Sequence, residues 1–229
     1  MQQSAPATAH GARGPRARQP VSRPPVHGLY AITPDDADTA RLIIRVRAAL
    51  EGGAAVVQYR NKSADSALRH VQAGALAILC RQHGVPLIVN DHLELALTID
   101  ADGLHLGAAD GDIAAARRAL GAGRLLGVSC YNRFDLALAA RDAGADHIAF
   151  GAAFVSLTKP DAVHAPLALY RRAQAELGLA IVAIGGINAD NAADVIGAGA
   201  DAIAVITALF GAADIAAAAR RLRSLFPTT

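Results

Sequence analysis

A (β/α)8 barrel is the fold this sequence predicts, and three observations predict it. Short apolar runs alternate with longer Ala-rich helical stretches from Gly28 onward. Eight such units of roughly 25 residues match the minimal length of the barrel. Residues with chemistry recur after most of the runs, whereas an open doubly wound sheet would gather them at one switch point and place a Gly-x-Gly-x-x-Gly turn after the first strand, which is absent.

The elements follow in order. Gly28 to Thr33 reads as the first strand, and Thr39 to Glu51 as an amphipathic helix. Ala55 to Arg60 and Pro86 to Asn90 are the next strands, with a helix over Asp65 to His83 between them and a short one near Leu93 to Leu97 after them. Gly103 to Leu106, Arg124 to Ser129 and His147 to Phe150 continue the series, followed by helices at Ile113 to Leu120, Phe134 to Ala143 and Ala165 to Leu177. Ala180 to Ile184 and Ala202 to Ile206 complete the eight, with helices at Asn191 to Gly197 and Ala212 to Leu225. Ala-Gly-Ala-Asp recurs at 143–146 and 198–201, a turn that ends a helix on Gly and enters the next strand, with a structural meaning only.

Composition bounds the function. No run of about 18 uninterrupted apolar residues occurs, so the 53% hydrophobic content belongs in a core and a membrane partner is not expected. Cys80 and Cys130 are the only cysteines of 229 residues, which suits a reducing, cytoplasmic setting and no disulfide framework. Residues 1–27 hold four arginines, no acid and five of the ten prolines. They read as a disordered tail, unprocessed in preference to a transit peptide, ahead of a single barrel domain over 28–229. The basic excess belongs to that tail, and with no Trp and 4% aromatics no stacking surface for nucleic acid is expected.

Strand alternation puts Gln58, Arg60 and Lys62 of Val56-Val57-Gln58-Tyr59-Arg60-Asn61-Lys62 on one face. An amide and two cations at the end of a parallel strand suit a phosphate or pyrophosphate, although a solvated strand end has the same residues. Asn90-Asp91 ends the third strand and Asp110 follows the fourth. Adjacent parallel strands lie about 4.8 Å apart, so these acids can share one Mg2+ that keeps water and substrate phosphate as its other ligands. Helix capping is the alternative for each acid alone. Ser129 closes the fifth strand with no Asp-His pair to activate it, so it reads as a hydrogen-bond donor or cap. His105, between Leu104 and Leu106, reads as a packed, hydrogen-bonded core residue without a catalytic role. Ser156, Leu157, Thr158 and Lys159 form a polar loop after the sixth strand. Gly185-Gly186 after the seventh and Ile206-Thr207 after the eighth occupy the usual phosphate site of this barrel. Two separate anion sites imply two phosphorylated small-molecule substrates.

Gln-x-Arg-x-Lys, Asn-Asp, His-Leu-Gly-x-x-Asp, Gly-Val-Ser, Thr-Lys and Ile-Gly-Gly-Ile occur here in the order found in thiamine-phosphate synthases. The chain resembles that family from about Gly28 to its end. The resemblance implies that Gln58, Tyr59, Arg60, Asn61, Lys62, Asn90, Ser129 and Lys159 hold the hydroxymethylpyrimidine pyrophosphate, with Asp91 and Asp110 on Mg2+. It implies that Ser156, Leu157, Thr158, Gly186, Ile206 and Thr207 hold the thiazole phosphate, and that Arg60, Lys62, Ser129 and Lys159 are the catalytic set. The implied reaction joins 4-amino-2-methyl-5-hydroxymethylpyrimidine pyrophosphate to 4-methyl-5-(2-phosphoethyl)thiazole, giving thiamine phosphate and pyrophosphate. Ala108 and Cys130-Tyr131 depart from the family's usual Gln and Ala-His. The related thiazole tautomerase lacks much of the pyrophosphate set and uses a histidine where this chain has Tyr131, and a non-catalytic phosphate-binding barrel is the third reading. The sequence leaves the oligomeric state open.

Overall fold

The computed structural model describes residues 26–107, 111–154 and 163–227. The predicted tail therefore lies almost wholly outside the described residues, as do Asp110 and the loop from Ser156 to Lys159. The strands are β1 Gly28–Ile32, β2 Val56–Tyr59, β3 Leu87–Asn90, β4 Gly103–Gly107, β5 Leu125–Tyr131, β6 His147–Phe150, β7 Ala180–Ile184 and β8 Ala202–Val205. All eight pair in parallel, each with its sequence neighbour, and β8 returns to β1 to close the barrel. Helices α1 Thr39–Glu51, α2 Ser66–Gln82, α3 Leu93–Thr98, α4 Ile113–Leu120, α5 Phe134–Asp142, α6 Leu167–Glu176 and α7 Ala192–Gly197 fill the connections, and α8 Thr207–Phe210 and α9 Ile215–Arg223 follow β8.

Alternation along the strands divides the molecule into two apolar regions. Leu29, Val57, Tyr59, Leu87, Val89, Leu104, Leu126, Ile148, Ile181 and Ile203 point outward and pack beneath the helices. Tyr30, Ile32, Val56, Ile88, Leu125, Ala149, Val182, Ala202 and Ala204 point inward and fill the barrel. The inner set is smaller and is interrupted by polar residues, and that is where the site begins.

Helix starts follow ordinary capping chemistry. Asp38, Asp65, Asp112 and Asp214 each accept a hydrogen bond from a backbone N–H of the first turn that has no carbonyl partner within the helix. Aspartates also brace the floor. Asp102, Asp146 and Asp201, each just ahead of an even-numbered strand, accept from the backbone N–H of Leu87, Leu126 and Ile181 at 3.0, 2.7 and 2.8 Å, each at the start of the strand before. The two Ala-Gly-Ala-Asp turns are two of these three braces, with Gly144 and Gly199 at φ +93° and +102°, so their structural reading holds.

Most boundaries shift by a residue or two from the sequence reading, and three differences bear on the site. β5 runs on to Tyr131 through an irregularity in its pairing with β6 between Ser129 and Tyr131. β8 ends at Val205 instead of Ile206, because Ile206 leaves extended geometry with ψ −78° and Thr207 opens α8. The expected helix from Ala212 to Leu225 is the shorter α9, which starts only after the Asp214 cap.

Candidate active site

The C-terminal ends of the strands bring most of the described candidates to one mouth. Gln58 faces inward, 2% exposed, and its Nε2 donates to the Tyr30 hydroxyl at 2.9 Å. Arg60 follows it on the same face. Its backbone N–H donates to Thr33 Oγ1 and the Thr33 hydroxyl donates to the Arg60 carbonyl, both at 2.9 Å, so the ends of β1 and β2 are tied together. Asp35 then anchors this segment. Its Oδ1 lies 3.4 Å from the Arg60 guanidinium and accepts from the Lys62 backbone N–H at 2.9 Å. The Lys62 residue itself is exposed.

Tyr59 and Asn61 are placed differently from their neighbours. The same alternation that turns Gln58 inward turns the Tyr59 ring outward, where its hydroxyl donates to Gln72 Oε1 at 2.9 Å and burial pushes its pKa up to about 12. Asn61 is 4% exposed, and its amide nitrogen serves the Asp36 carbonyl at 2.8 Å and Gln72 Oε1 at 3.0 Å. Its oxygen accepts from Ser63 Oγ and the Ala64 N–H. Both side chains are therefore committed to the wall between β2 and α2, and only the backbone of these two residues faces the turn beside Arg60 and Lys62. Behind them the Arg41 guanidinium, donating to both carboxylate oxygens, holds the Asp36 carboxyl below its ordinary range, and Arg45 adds to this.

Asn90 ends β3 on the inward face. Asp91 follows in the left-handed region at φ +63°, with its backbone N–H donating to the His105 carbonyl at 2.9 Å. A left-handed aspartate is uncommon and usually answers to its surroundings. The capping alternative fails for Asp91, since α3 is preceded by His92 and has no side-chain cap. Among the described residues the Asp91 carboxylate has no hydrogen-bond or ion-pair partner, and no group of three acids, histidines or cysteines is close enough to hold a metal. Asp110 lies outside the described residues. A single open carboxylate beside an amide is a hard oxygen donor set of the kind Mg2+ accepts when phosphate and water supply the rest.

Ser129 faces the mouth from β5, with its Oγ 2.8 Å from His105 Nε2. His105 is thus packed and hydrogen-bonded, as its place between two leucines suggested, and burial lowers its pKa to about 4. Tyr131, half exposed, takes φ +53° just beyond.

Across the mouth, Gly185 and Gly186 adopt φ +97° and +65°, and a Cβ on Gly185 would stand 2.8 Å from the Ala152 Cα. Glycine is required there by both conformation and space. The loop is fixed by Asn191, whose Nδ2 donates to the Gly186 carbonyl and whose Oδ1 accepts from the Asn188 N–H. Thr207 stands exposed at the start of α8. Ser156, Leu157, Thr158 and Lys159 lie outside the described residues. Thr33, Asp35 and Asn191 are participants that motif reading missed.

Comparison with known proteins shows the family. Residues 29–209 match the sequence model of a family described as thiamine monophosphate synthase. A thiamine-phosphate synthase from Methylobacillus flagellatus is 58% identical over 205 residues, covering 90% of this chain and 98% of that protein. One from Chromobacterium violaceum is 59% identical over 203 residues, covering 89% and 98%. Among solved structures, a thiamine phosphate pyrophosphorylase from Pyrococcus furiosus superposes with a TM-score of 0.78 at 36% identity, over 86% of this chain and 94% of that one. A 3-hexulose-6-phosphate synthase, at 18% identity and a TM-score of 0.66 over 86% and 99%, shares the fold alone. With a family model spanning the strands from β1 to β8 and relatives matched over nearly their whole length, the chain belongs to the thiamine monophosphate synthase family.

Proposed function

We propose that the barrel mouth joins hydroxymethylpyrimidine pyrophosphate to the thiazole phosphate, giving thiamine phosphate and pyrophosphate. The observation that carries this reading is the division of the mouth. Arg60, Lys62, Asn90, Asp91 and Ser129 stand on the ends and following turns of β2, β3 and β5, and the glycine loop and Thr207 stand after β7 and β8. One side is a cationic and amide cradle suited to a pyrophosphate. The other is the backbone-lined phosphate site common to such barrels.

In this reaction the C–O bond to the departing pyrophosphate breaks with its electron pair, and the thiazole nitrogen lone pair forms the new C–N bond. Arg60, Lys62 and Lys159 balance charge on the pyrophosphate, and Ser129 donates a hydrogen bond to it. Asp35 holds the Arg60 and Lys62 segment in place, so little reorganisation is left for the moment of reaction. Asn90 and Gln58 line the pyrimidine side, while Gly186, Ile206 and Thr207, with Ser156, Thr158 and the backbone at Leu157, hold the thiazole phosphate. No protein nucleophile is required, and holding both reactants in line supplies much of the acceleration. Mg2+, held by Asp91 and Asp110, would add Lewis-acid stabilisation of the pyrophosphate oxygens. The fit rests on the open Asp91 carboxylate. Two buried free thiols, Cys80 and Cys130, support a reducing cytoplasmic setting.

The direct test mixes both substrates with Mg2+ and the full chain and follows thiamine phosphate and pyrophosphate together. Stoichiometric appearance of both is expected. Binding of both substrates without release of pyrophosphate would instead identify a non-catalytic barrel.

A further inference from the structure

Beneath the mouth lie two histidines to which the reaction gives no task. His147 is fully buried with neither ring nitrogen in a hydrogen bond, and the Nδ1 of His105 is buried and equally unpartnered among the described residues. A buried polar atom left unpaired costs roughly 1–3 kcal/mol. The two rings lie next to each other, tilted by 35° with their centroids 5.6 Å apart. His105 Nδ1 and His147 Nε2 both lie within 2.5 Å of the point where a Cβ on Gly127 would stand. Glycine at 127 is what lets both nitrogens converge there. On its other side, His105 presents Nε2 to Ser129 Oγ at 2.8 Å.

A neutral imidazole has one donor and one acceptor nitrogen, and the partner of one nitrogen fixes the state of the other. If His105 Nε2 were the acceptor, Ser129 would spend its proton on the histidine and turn only lone pairs toward the mouth, where an anion would be repelled. We infer that His105 is a positioning residue for Ser129. Its Nε2–H donates to Ser129 Oγ, its Nδ1 stays bare in the interior beside Gly127, and the serine proton is thereby aimed into the mouth as a donor to an anionic oxygen. No proton is transferred. Gly127 is the space that lets the His105 ring lie there. The inference rests on the proposed contact between Ser129 and the pyrophosphate.

Nitrogen-15 NMR of the full chain, labelled at histidine and free of substrate, reads the tautomers directly. The His105 signals are identified by their loss in His105→Gln. His105 is expected to be protonated at Nε2 alone, and protonation at Nδ1 alone or at both nitrogens overturns the inference. Kinetics supplies the second arm. His105→Leu should lower kcat/KM for the pyrimidine pyrophosphate by roughly tenfold, the worth of one hydrogen bond to a charged group, and leave KM for the thiazole phosphate unchanged. His105→Gln, whose amide N–H replaces Nε2–H, should recover most of the loss. A residue that only packs predicts the reverse order, since leucine suits an apolar interior better than glutamine, and that order overturns the inference. If His105→Leu fails to fold, the spectrum of the unmodified chain still decides. If the unmodified chain joins no substrates, the functional reading fails by itself and the tautomer remains separately measured.

Discussion

His147 is buried, and that burial, reinforced by the neighbouring His105 ring, keeps its pKa well below the ordinary value. In the unfolded chain it titrates near 6.5. Above that pH the imidazole is neutral in both states and adds no pH dependence. As pH falls below it, only the unfolded chain takes up the proton, so stability drops with a slope of up to about 1.4 kcal/mol per pH unit until the folded group also titrates. Denaturant unfolding from pH 7 to pH 5 should show this decline, and His147→Leu should lessen it, the share of the buried His105 remaining. Gly127→Ala addresses the same interior by a different route. Its methyl group would displace both imidazoles, and overpacking of this kind costs roughly 1–3 kcal/mol. Unfolding midpoints unchanged from the parent protein would show that the rings move aside freely. Asp91→Asn keeps shape and removes charge. It should raise the Mg2+ concentration for half-maximal turnover roughly tenfold, the equivalent of a charge-assisted contact of about 1.4 kcal/mol, and an unchanged Mg2+ profile would remove Asp91 from the metal site.

At the scale of elements, the mouth depends on ties between loops distant in sequence. Thr33 and Arg60 exchange two hydrogen bonds across 27 residues. Thr33→Val keeps the shape of the side chain and removes both, leaving the Arg60 N–H and carbonyl to find other partners. A loss of roughly 1–3 kcal/mol is expected, together with weaker binding of inorganic pyrophosphate by calorimetry. These ties explain what was readable in the sequence and what was not. Alternation alone told that Gln58 and Arg60 share a face, and by the same rule it turns the Tyr59 side chain away from the mouth. Asn61 offers no such clue, because its partners Asp36 and Gln72 stand on other elements. Asp35 and Thr33 carry no periodic signal at all. The short helix α8 escaped for a related reason: a four-residue helix has too few turns to show a period, and its identity depends on packing against α9.

At the scale of the whole molecule, the described residues close a barrel in which stability and chemistry occupy opposite ends. Ion pairs such as Arg117 with Asp146 and the backbone braces of Asp102 and Asp201 lie at the floor, remote from Ser129 and Gly186. Asp201→Ala should therefore lower unfolding free energy by roughly 1–3 kcal/mol, the cost of leaving the Ile181 N–H unsatisfied, while KM for either substrate stays near that of the parent protein. A large rise in KM at full folding would show that the two ends communicate.

The braces also divide the barrel unevenly. Each ties a strand to the one that follows it, β3 to β4, β5 to β6 and β7 to β8, whereas the segments leading into β4 and β5 are joined by the more exposed Arg124–Asp100 ion pair. A chain severed at the exposed 121–123 segment keeps all three braces within its two pieces, whereas a cut between α3 and β4 separates Leu87 from Asp102. Co-expressed halves divided at 121–123 should therefore reassociate into an active barrel more readily than halves divided near residue 100. The three aspartates thus mark where this barrel can be taken apart and rejoined, as a molecule assembled from strand pairs.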